Sequence, residues 1–499
     1  MILSKNELSR ISPANIELPN ISSFDFPEKV LQFGTGVLLR GLPDYFIDKA
    51  NKKGEFNGRI VVVKSTSKGD TAAFDKQNGL YTICVRGIEN GKDANENIIS
   101  SAISRVLSAN EDWNEILLLA RQPALSLIIS NTTEVGIVLQ EESIFSAVAP
   151  NSYPAKLLAV LNSRFKALKD APPLVVIATE LIPDNGGKLK SIVYQLAVFN
   201  EMSNEFIAWL DDNVTFCNSL VDRIIPGKPD ASIQESLSVE LGYEDELLIV
   251  AEPYRLWAIE ADASTAEIIG LEKADSGVVI RPDIEIFREL KIRLLNGTHT
   301  LSCGIACLLG IDTVATGMKD SALNTYVSSL MTAEIVPAIP YEVDLKEAMA
   351  FSKSVADRFA NPFIQHHWIS ITFQYSMKMK IRVLPVLMQY YKLFNRVPSH
   401  IALGIAAYLV FMTVKRKDIN KYIGFAGARE YEITDDQAGY FYNKLEEDFD
   451  QFPGNVLKDS AFWEADLTLL PGFIEQAEEN YHYITKNGIA AALGRINIT

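Results

Sequence analysis

The stretch Lys29-Val-Leu-Gln-Phe-Gly-Thr-Gly36 joins a short, mostly apolar run to a pair of glycines. A strand that ends in a turn such as Gly34-Thr35-Gly36 is typical of the site that binds the pyrophosphate of a dinucleotide, because glycine lets backbone N–H groups approach the phosphates. The complete pattern G-x-G-x-x-G is absent, since Leu39 stands where a third glycine would be and the next glycine is Gly41. The motif alone leaves open a dinucleotide site or a plain strand-to-helix turn, with Pro43 as a candidate for the first helical turn.

Further apolar runs follow at intervals along the N-terminal part of the chain. The runs that are predicted as buried strands are 29–33, 59–63, 125–130, 174–178 and 247–251. Longer segments between them, such as 156–169 and 189–211, show helical periodicity. Short strands that alternate with helices predict an α/β fold, in which a parallel sheet is covered by helices on both faces.

Helical periodicity dominates after about residue 280, where runs of β-branched residues become few. The segments 344–359, 398–414 and 435–452 are predicted as helices. We therefore expect a domain boundary near Arg281-Pro282. It separates a first domain, 1–280, from a mostly α-helical second domain, 281–499.

The second apolar run, 59–63, ends in a polar cluster where a dinucleotide-binding domain commonly carries an acid for the ribose. Lys64, Ser65, Thr66 and Lys68 stand there instead. Lysines that face a 2′-phosphate would favour NADP, whereas hydroxyl groups that hold the ribose would favour NAD. The alternatives for this cluster are a site for NADP, a site for NAD, and a solvent-exposed loop that binds neither.

A lysine, an amide and an imidazole lie close together in Lys291-Ile-Arg-Leu-Leu-Asn-Gly-Thr-His299. On an α-helix, at roughly 100° per residue, Lys291, Asn296 and His299 fall within an arc of about 140° and can face one pocket. Lysine can protonate the oxygen of a carbonyl that hydride reduces, asparagine can donate to that oxygen as negative charge develops, and histidine can orient a hydroxyl. Chance placement on one helix face is the alternative interpretation.

Composition disfavours several classes of function. The chain of 499 residues carries 47 Lys+Arg against 63 Asp+Glu, and the net charge of −16 disfavours non-specific binding to nucleic acid or to an acidic membrane surface. Four scattered cysteines do not form a disulfide framework, and no apolar stretch approaches the roughly 20 residues that cross a bilayer. With no signal peptide visible, we expect a cytoplasmic protein. The five histidines lack metal-ligand spacing, so no metal site is expected.

Taken together, these residues resemble the active-site signature of the polyol-specific long-chain dehydrogenases, whose catalytic motif is similar to Lys291-x-x-x-x-Asn296-x-x-His299. Further matches are Gly34-Thr-Gly36 with Arg40, Asn78-Gly-Leu-Tyr-Thr82, Ser130-Asn-Thr-Thr-Glu-x-Gly136, Val221-Asp-Arg-Ile-x-Pro226, and Glu252-Pro253 with Trp257. The resemblance implies a Rossmann-type N-terminal domain, a mostly helical C-terminal domain, and metal-independent oxidoreduction linked to NAD. The cofactor-binding residues would be Gly34, Thr35, Gly36, Arg40, Ser65 and Thr66.

Within the family, the chain is most similar to the members that act on hexuronates. The matching stretches are Thr179-Glu-Leu-Ile182 followed by Asn185-Gly186, and Arg358-Phe-x-Asn-Pro-Phe-Ile-x-His366-x-Trp368 leading to Ser376-x-Lys378 and Arg382-Val-Leu-Pro385. It implies reversible reduction of tagaturonate to altronate in hexuronate catabolism. Fructuronate and neutral polyols such as mannitol or arabinitol are the alternative substrates, and a non-catalytic nucleotide or sugar-acid sensor is an alternative of a different class.

A uronate carries a carboxylate that a neutral polyol lacks. The small-molecule substrate should therefore meet a cationic side chain, and the substrate-binding candidates are Arg358, His366 and Lys378. Structural ion pairs are the alternative for the arginine and the lysine.

Two further positions bear on the chemistry that the resemblance implies. In mannitol 2-dehydrogenases a second asparagine helps to hold the oxyanion, and Glu180-Leu181 occupies that place here. Only Asn296 is therefore predicted as an oxyanion donor. Glu252 is a candidate for a proton relay between Lys291 and solvent.

Overall fold

The computed structural model describes residues 1–12, 14–65, 71–132, 135–168, 170, 172–419 and 421–496. The chain divides into two compact units. The first unit comprises Met1–Arg86 and Asp93–Ile284, and the second comprises Gly87–Lys92 and Glu285–Thr499. The main division therefore follows Ile284, close to Arg281-Pro282.

The first unit is built around strands that are short and largely buried. They are β1 (Glu28–Phe33), β2 (Arg59–Lys64), β3 (Tyr81–Glu89), β4 (Lys92–Ser100), β5 (Ile103–Ser108), β6 (Leu127–Ser130), β7 (Leu174–Ala178), β8 (Val214–Cys217), β9 (Ser219–Asp222), β10 (Ile249–Ala251), β11 (Leu256–Glu260) and β12 (Val278–Arg281). A six-stranded parallel sheet has the order β5-β2-β1-β6-β7-β8. Residues 60–63 of β2 are fully buried, because a parallel strand packs on both faces and so carries an unbroken apolar run.

The described part of the first unit also contains two smaller sheets, with the strand orders β10-β3-β4 and β12-β11-β9. The predicted strand 247–251 forms β10, but β10 pairs in parallel with β3 and does not join the main sheet. An apolar run indicates burial and carries no information about its hydrogen-bonding partner. The sequence therefore predicted this strand without indicating its sheet.

Helices pack against both faces of the main sheet. The helices of the first unit are α1 (Val37–Gly41), α2 (Pro43–Lys52), α3 (Ala72–Lys76), α4 (Trp113–Leu119), α5 (Tyr153–Ala167), α6 (Asn185–Phe199), α7 (Asn204–Asn213), α8 (Ala231–Leu241) and α9 (Ala263–Ile269), with 3-10 helices at Lys5–Arg10 and Ile21–Asp25. Successive residues of β1 enter opposite cores, because side chains alternate along a strand. Val30 lies in the core cluster that contains Phe46 of α2, and Leu31 lies in the cluster that contains Leu157 of α5. The predicted α/β fold is confirmed.

The helix boundaries of the first unit differ from the prediction at one place. Pro43 stands in the first turn of α2, as predicted. The segment 189–211, which was predicted as one helix, forms α6 and α7. The chain turns between them because Glu201 has a φ of +51°, and Ser203 begins α7 by accepting the N–H of Phe206.

The second unit is mostly α-helical, which confirms the predicted class. Its α-helices are α10 (Glu285–Leu290), α11 (Thr298–Leu309), α12 (Val314–Gly317), α13 (Ser321–Ser329), α14 (Leu345–Ala360), α15 (Trp368–Ile371), α16 (Tyr375–Lys378), α17 (Leu384–Phe394), α18 (Ser399–Phe411), α19 (Ala438–Glu447), α20 (Phe452–Leu457), α21 (Ser460–Trp463), α22 (Phe473–Asn487) and α23 (Ile489–Ile496). The π-helices are π1 (Lys291–Gly297), π2 (Leu330–Ile335) and π3 (Met379–Val383), and 3-10 helices lie at Val336–Ala338 and Leu467–Leu469.

The predicted helices of the second unit correspond to α14, α18 and α19. A small antiparallel sheet was not predicted; it has the order β13-β14-β15, with β13 at Arg416–Asp418, β14 at Lys421–Ala426 and β15 at Arg429–Glu432. β13 and β15 consist mainly of exposed charged residues. Such strands have no apolar alternation, which is the signal that predicts a strand.

Within the described residues, no helix combines the length and the apolar character that a membrane span requires. Cys84, Cys217, Cys303 and Cys307 are buried free thiols. Burial raises the pKa of the Cys303 thiol to about 12. The cysteines are therefore core side chains and not members of a disulfide framework.

Candidate active site

The glycine turn lies at the carboxyl ends of β1 and β6, where the strand order of the main sheet reverses. Ligands of open α/β sheets bind at this point. Gly34 has a φ of +128°, and a Cβ there would lie 3.0 Å from the carbonyl oxygen of Asn131. A Cβ at Gly36 would meet no described atom within 4 Å. The backbone at Gly36 is therefore open to a ligand, whereas glycine at Gly34 is required by the turn itself.

Gly41 makes the close packing contact that a third glycine would make. A Cβ there would lie 2.5 Å from Cδ1 of Ile225 and 3.2 Å from Cδ1 of Ile249. In dinucleotide-binding turns the third glycine serves close packing of the helix against a strand. In this chain the close packing contact occurs at Gly41 and not at Leu39, so the third glycine of the G-x-G-x-x-G pattern is displaced by two residues.

The other predicted cofactor residues differ in their surroundings. Arg40 is buried, its Nη1 donates to the carbonyl oxygen of Leu247, and its guanidinium lies over the rings of Phe74 and Tyr81. These contacts hold Arg40 inside the first unit. Ser65 directly follows β2, and its Oγ is buried without a hydrogen-bond partner among the described residues. Thr66 and Lys68 lie outside the described residues.

Lys291 and Asn296 lie at opposite ends of π1, and His299 lies in the first turn of α11. The expectation of regular α-helical geometry, which separates Lys291 from Asn296 by about 140°, is wrong. A π-helix closes its hydrogen bonds between residues five apart. Residues five apart, such as this lysine and asparagine, are therefore brought towards the same face, and the structure groups them more tightly than the sequence indicated.

Rings hold the imidazole of His299 in place. The side chain is 8% exposed, and its ring is stacked on Phe359 at a centroid distance of 3.9 Å with an interplanar angle of 8°. His366 and Trp368 meet it edge-on at 5.1 and 5.8 Å. Its Nε2 is buried without a hydrogen-bond partner among the described residues. Packing therefore fixes the orientation of the His299 Nε2 atom, which is available to hydrogen-bond with a ligand.

The surroundings of His299 are cationic. Burial, followed by the charges of His366, Arg358, Arg382 and Lys378, lowers the pKa of His299 well below its usual value. The imidazole is therefore neutral near pH 7. Burial also lowers the pKa of His366, with further contributions from His367 and Lys378. The structure brings together the three residues that were predicted to bind a carboxylate, and it adds Arg382.

Arg382 was not predicted as a substrate-binding residue. It lies in π3, four residues after Lys378, and its Nη1 donates to Oγ1 of Thr300 at 3.2 Å. Thr300 in turn donates to the carbonyl oxygen of Asn296 at 2.7 Å. Lys378 and Arg382 lie four residues apart in a helical segment, so their side chains are neighbours. This spacing is the sequence signal that could have identified Arg382 as a substrate-binding candidate.

Arg293 connects π1 to π3. Its Nη1 donates to the carbonyl oxygens of Ile381 and Arg382 at 2.5 and 3.3 Å, and its Nε pairs with Glu289 at 2.9 Å. The segment that carries Lys291 and Asn296 is therefore tied to the segment that carries Arg382. The sequence did not indicate this contact.

Two acidic residues discussed in the sequence analysis, Glu252 and Glu180, accept hydrogen bonds from other residues of the first unit. The Glu252 carboxylate accepts the N–H of Ile224 at 2.6 Å, and Arg223 donates to the carbonyl oxygens of Glu252 and Gly41. The Glu180 carboxylate accepts both the N–H and the hydroxyl of Thr132 at 2.9 Å. These contacts fix the loops at the ends of the strands. No group of three or more His, Cys, Asp or Glu side chains that could hold a metal ion occurs in the part of the chain that the structure describes.

Comparison with known proteins defines the class. The model of the mannitol dehydrogenase Rossmann domain matches residues 28–273, and that of the mannitol dehydrogenase C-terminal domain matches residues 283–485. The chain therefore belongs to the mannitol dehydrogenase family, and it is an oxidoreductase that acts on CH–OH groups. The resemblance carried by Lys291, Asn296 and His299 is confirmed at the level of the family.

Individual relatives extend over nearly the whole chain. The altronate oxidoreductase of Yersinia enterocolitica is 34% identical over 478 residues, which cover 94% of this chain and 96% of the relative. Among solved structures, a D-sorbitol dehydrogenase in substrate-free form is similar with a TM-score of 0.77 at 22% identity, covering 99% of this chain and 100% of the other. A ternary complex of Pseudomonas fluorescens mannitol 2-dehydrogenase with NAD and D-mannitol has a TM-score of 0.63 at 22% identity, covering 99% of each chain. These two structures support the fold.

Proposed function

We propose that the protein catalyses the reversible, NAD-linked reduction of D-tagaturonate to D-altronate. The observation that carries this proposal is the cationic group around His299, since four positively charged or protonatable side chains suit a sugar acid better than a neutral polyol. Similarity to an altronate oxidoreductase over 94% of the chain supports the same substrate.

The first unit fits a dinucleotide. Gly34 adopts the positive φ of a tight turn, Gly36 leaves its backbone open, and the turn lies at the switch point of the sheet. A bound nicotinamide supplies the hydride for reduction and accepts it in the reverse direction. Ser65, at the end of β2, offers a hydroxyl without a described partner to a ribose, which favours NAD over NADP.

The second unit supplies the groups that handle the substrate oxygen. Lys291 gives a proton to the oxygen of the reduced carbonyl and takes it back during oxidation. The amide of Asn296 donates to the same oxygen while negative charge develops there. His299, held neutral and oriented by Phe359, offers its Nε2 to a neighbouring hydroxyl. Arg358, His366 and Lys378 are the proposed partners of the carboxylate.

A substrate panel tests the proposal. Purified protein is assayed with tagaturonate, fructuronate and fructose, each with NADH and with NADPH. We expect the highest kcat/KM with tagaturonate and NADH. A preference for fructuronate or fructose would reassign the substrate, and tight NADH binding without oxidation of NADH across the panel would favour a non-catalytic sensor.

A further inference from the structure

Two cations in the second unit have no acidic partner in the part of the chain that the structure describes. Lys378 is half-buried, and its Nζ donates to the carbonyl oxygen of Ile371 at 2.9 Å. Arg382 is half-buried, and its hydrogen bond to Thr300 uses only one guanidinium nitrogen. No carboxylate among the described residues lies within ion-pair distance of either side chain.

Other cations in the same region are paired. Lys380, which lies between these two residues in π3, binds Glu464 at 3.0 Å. Arg293, which contacts the backbone of π3, binds Glu289 at 2.9 Å. Lys378 and Arg382 differ from these two neighbours, each of which has a carboxylate partner.

The two cations also oppose each other. The charge of Arg382 adds to burial in lowering the pKa of Lys378. Asp435 acts on Lys378 from a distance, but its carboxylate oxygens accept the backbone N–H groups of Ser376 and Gln437. Like charges that are held together in a half-buried place destabilise the fold unless an anion joins them.

We propose that Arg382 and Lys378 form a subsite that binds the carboxylate of a sugar acid, with Arg382 as the main anchor. The inference rests on the proposed function and names the residues that separate sugar acids from neutral sugars. A guanidinium presents parallel N–H groups that match a carboxylate, whereas an ammonium acts as a point charge. Thr300 accepts from Arg382 and donates to the backbone of Asn296, so the anchor and the predicted oxyanion donor are linked by two hydrogen bonds.

The test compares Arg382→Gln and Arg382→Lys with wild type, using tagaturonate and the neutral ketose fructose at saturating NADH. Loss of a charge-assisted hydrogen-bonded pair is expected to lower kcat/KM for tagaturonate by about 10- to 100-fold, mainly through KM. The rate with fructose should stay within about twofold, because no carboxylate is present to lose a partner. Arg382→Lys should lose less kcat/KM for tagaturonate than Arg382→Gln, because lysine keeps the positive charge but lacks the parallel N–H groups of the guanidinium.

Lys380→Gln is the matched control, since it removes a cation from the same π-helix whose partner is Glu464. It should leave both substrates unaffected. Equal losses for tagaturonate and fructose in Arg382→Gln, or no loss for either, would overturn the inference. If Arg382→Gln does not fold, Arg382→Lys and Lys378→Gln carry the test: each should lower kcat/KM for tagaturonate more than for fructose, with a smaller loss in Arg382→Lys than is expected for Arg382→Gln.

Calorimetric binding separates this inference from the proposed function. D-altronate, D-galacturonate and D-gluconate are titrated into wild type and Arg382→Gln in the presence of NAD. If wild type does not reduce tagaturonate but binds a sugar acid that Arg382→Gln binds more weakly, the subsite stands and the substrate is wrong. Absence of binding of any of these acids to wild type overturns the subsite.

Discussion

At the scale of single residues, His299 shows how burial sets the state of an ionisable group. Its imidazole is enclosed by the rings of Phe359, His366 and Trp368, and burial lowers its pKa well below the usual value. A histidine that stays neutral can donate from one nitrogen and accept at the other. That property suits a group that orients a substrate hydroxyl.

The lowered pKa of His299 predicts a pH dependence of stability. In the unfolded chain the pKa is about 6.5, so between the folded pKa and pH 6.5 the unfolded state binds more protons. The free energy of unfolding should therefore fall as the pH drops below about 6.5, by up to about 1.4 kcal/mol per pH unit for this group. Urea unfolding at pH 5.0 and 7.5 should show a smaller difference for His299→Phe than for wild type. His482→Gln, at an exposed histidine, is the control, and an unchanged difference in His299→Phe would contradict the prediction.

Lys291 is the residue on which the proposed chemistry depends most. Lys291→Ala should lower kcat for tagaturonate by at least about 100-fold, because general acid–base catalysis contributes that much or more. NADH affinity, measured by fluorescence titration, should stay close to that of wild type. Lys291→Arg should not restore oxidation of altronate, since an arginine does not lose its proton near neutral pH. Retained turnover in Lys291→Ala would remove the lysine from the mechanism.

At the scale of elements, the glycine turn combines two glycines with different requirements. Gly36→Val should leave the free energy of unfolding nearly unchanged, because its Cβ would meet no described atom within 4 Å. The same side chain should block the approach of a pyrophosphate and raise KM for NADH. Gly34→Ala is the contrasting variant: it should lower stability, because φ is +128° and the Cβ would press on Asn131. The prediction fails if Gly36→Val binds NADH as wild type does.

The contact between π1 and π3 predicts a coupled loss of stability and activity. Arg293→Met removes the hydrogen bonds to Ile381 and Arg382 and leaves Glu289 without its partner. A buried ion pair that loses one member costs about 3 kcal/mol, which urea unfolding measures. We also expect a lower kcat, since π1 carries Lys291 and Asn296. Arg288→Met, whose ion pair with Glu285 is partly exposed, is the control. An Arg293→Met protein with wild-type kcat would show that the contact between π1 and π3 is not needed for catalysis.

At the scale of the whole molecule, ligand binding should stabilise the chain by mass action. NADH at 100 times its Kd should add about 2.7 kcal/mol to the free energy of unfolding of the part that binds it. Scanning calorimetry with NADH should therefore show a higher Tm for the transition that unfolds the first unit. NADPH at the same concentration is the comparison, and the larger shift identifies the preferred cofactor. No shift with either would contradict a nicotinamide site.

The sequence predicted those features that depend on neighbours along the chain. Strand 174–178 has the same bounds as β7, Pro43 begins α2, and the chain changes from alternating strands and helices to mostly helices, as the sequence predicted. Turn chemistry and periodicity are local properties, so a single sequence carries them. Segment 189–211 shows the limit of this reasoning. Its helical periodicity continues across the break between α6 and α7, where Ser203 begins a new helix.

By itself, the sequence determined the α/β and helical halves, the glycine turn, and the placement of Lys291, Asn296 and His299 in one helical stretch. Only the tertiary structure decided that 247–251 pairs with β3, that Lys291 and Asn296 share a π-helix, and that Arg382 joins Lys378 beside His299. The physical reason is distance along the chain. Periodicity and turn residues act within one element, whereas sheet membership and a cluster of cations arise when elements many residues apart pack together.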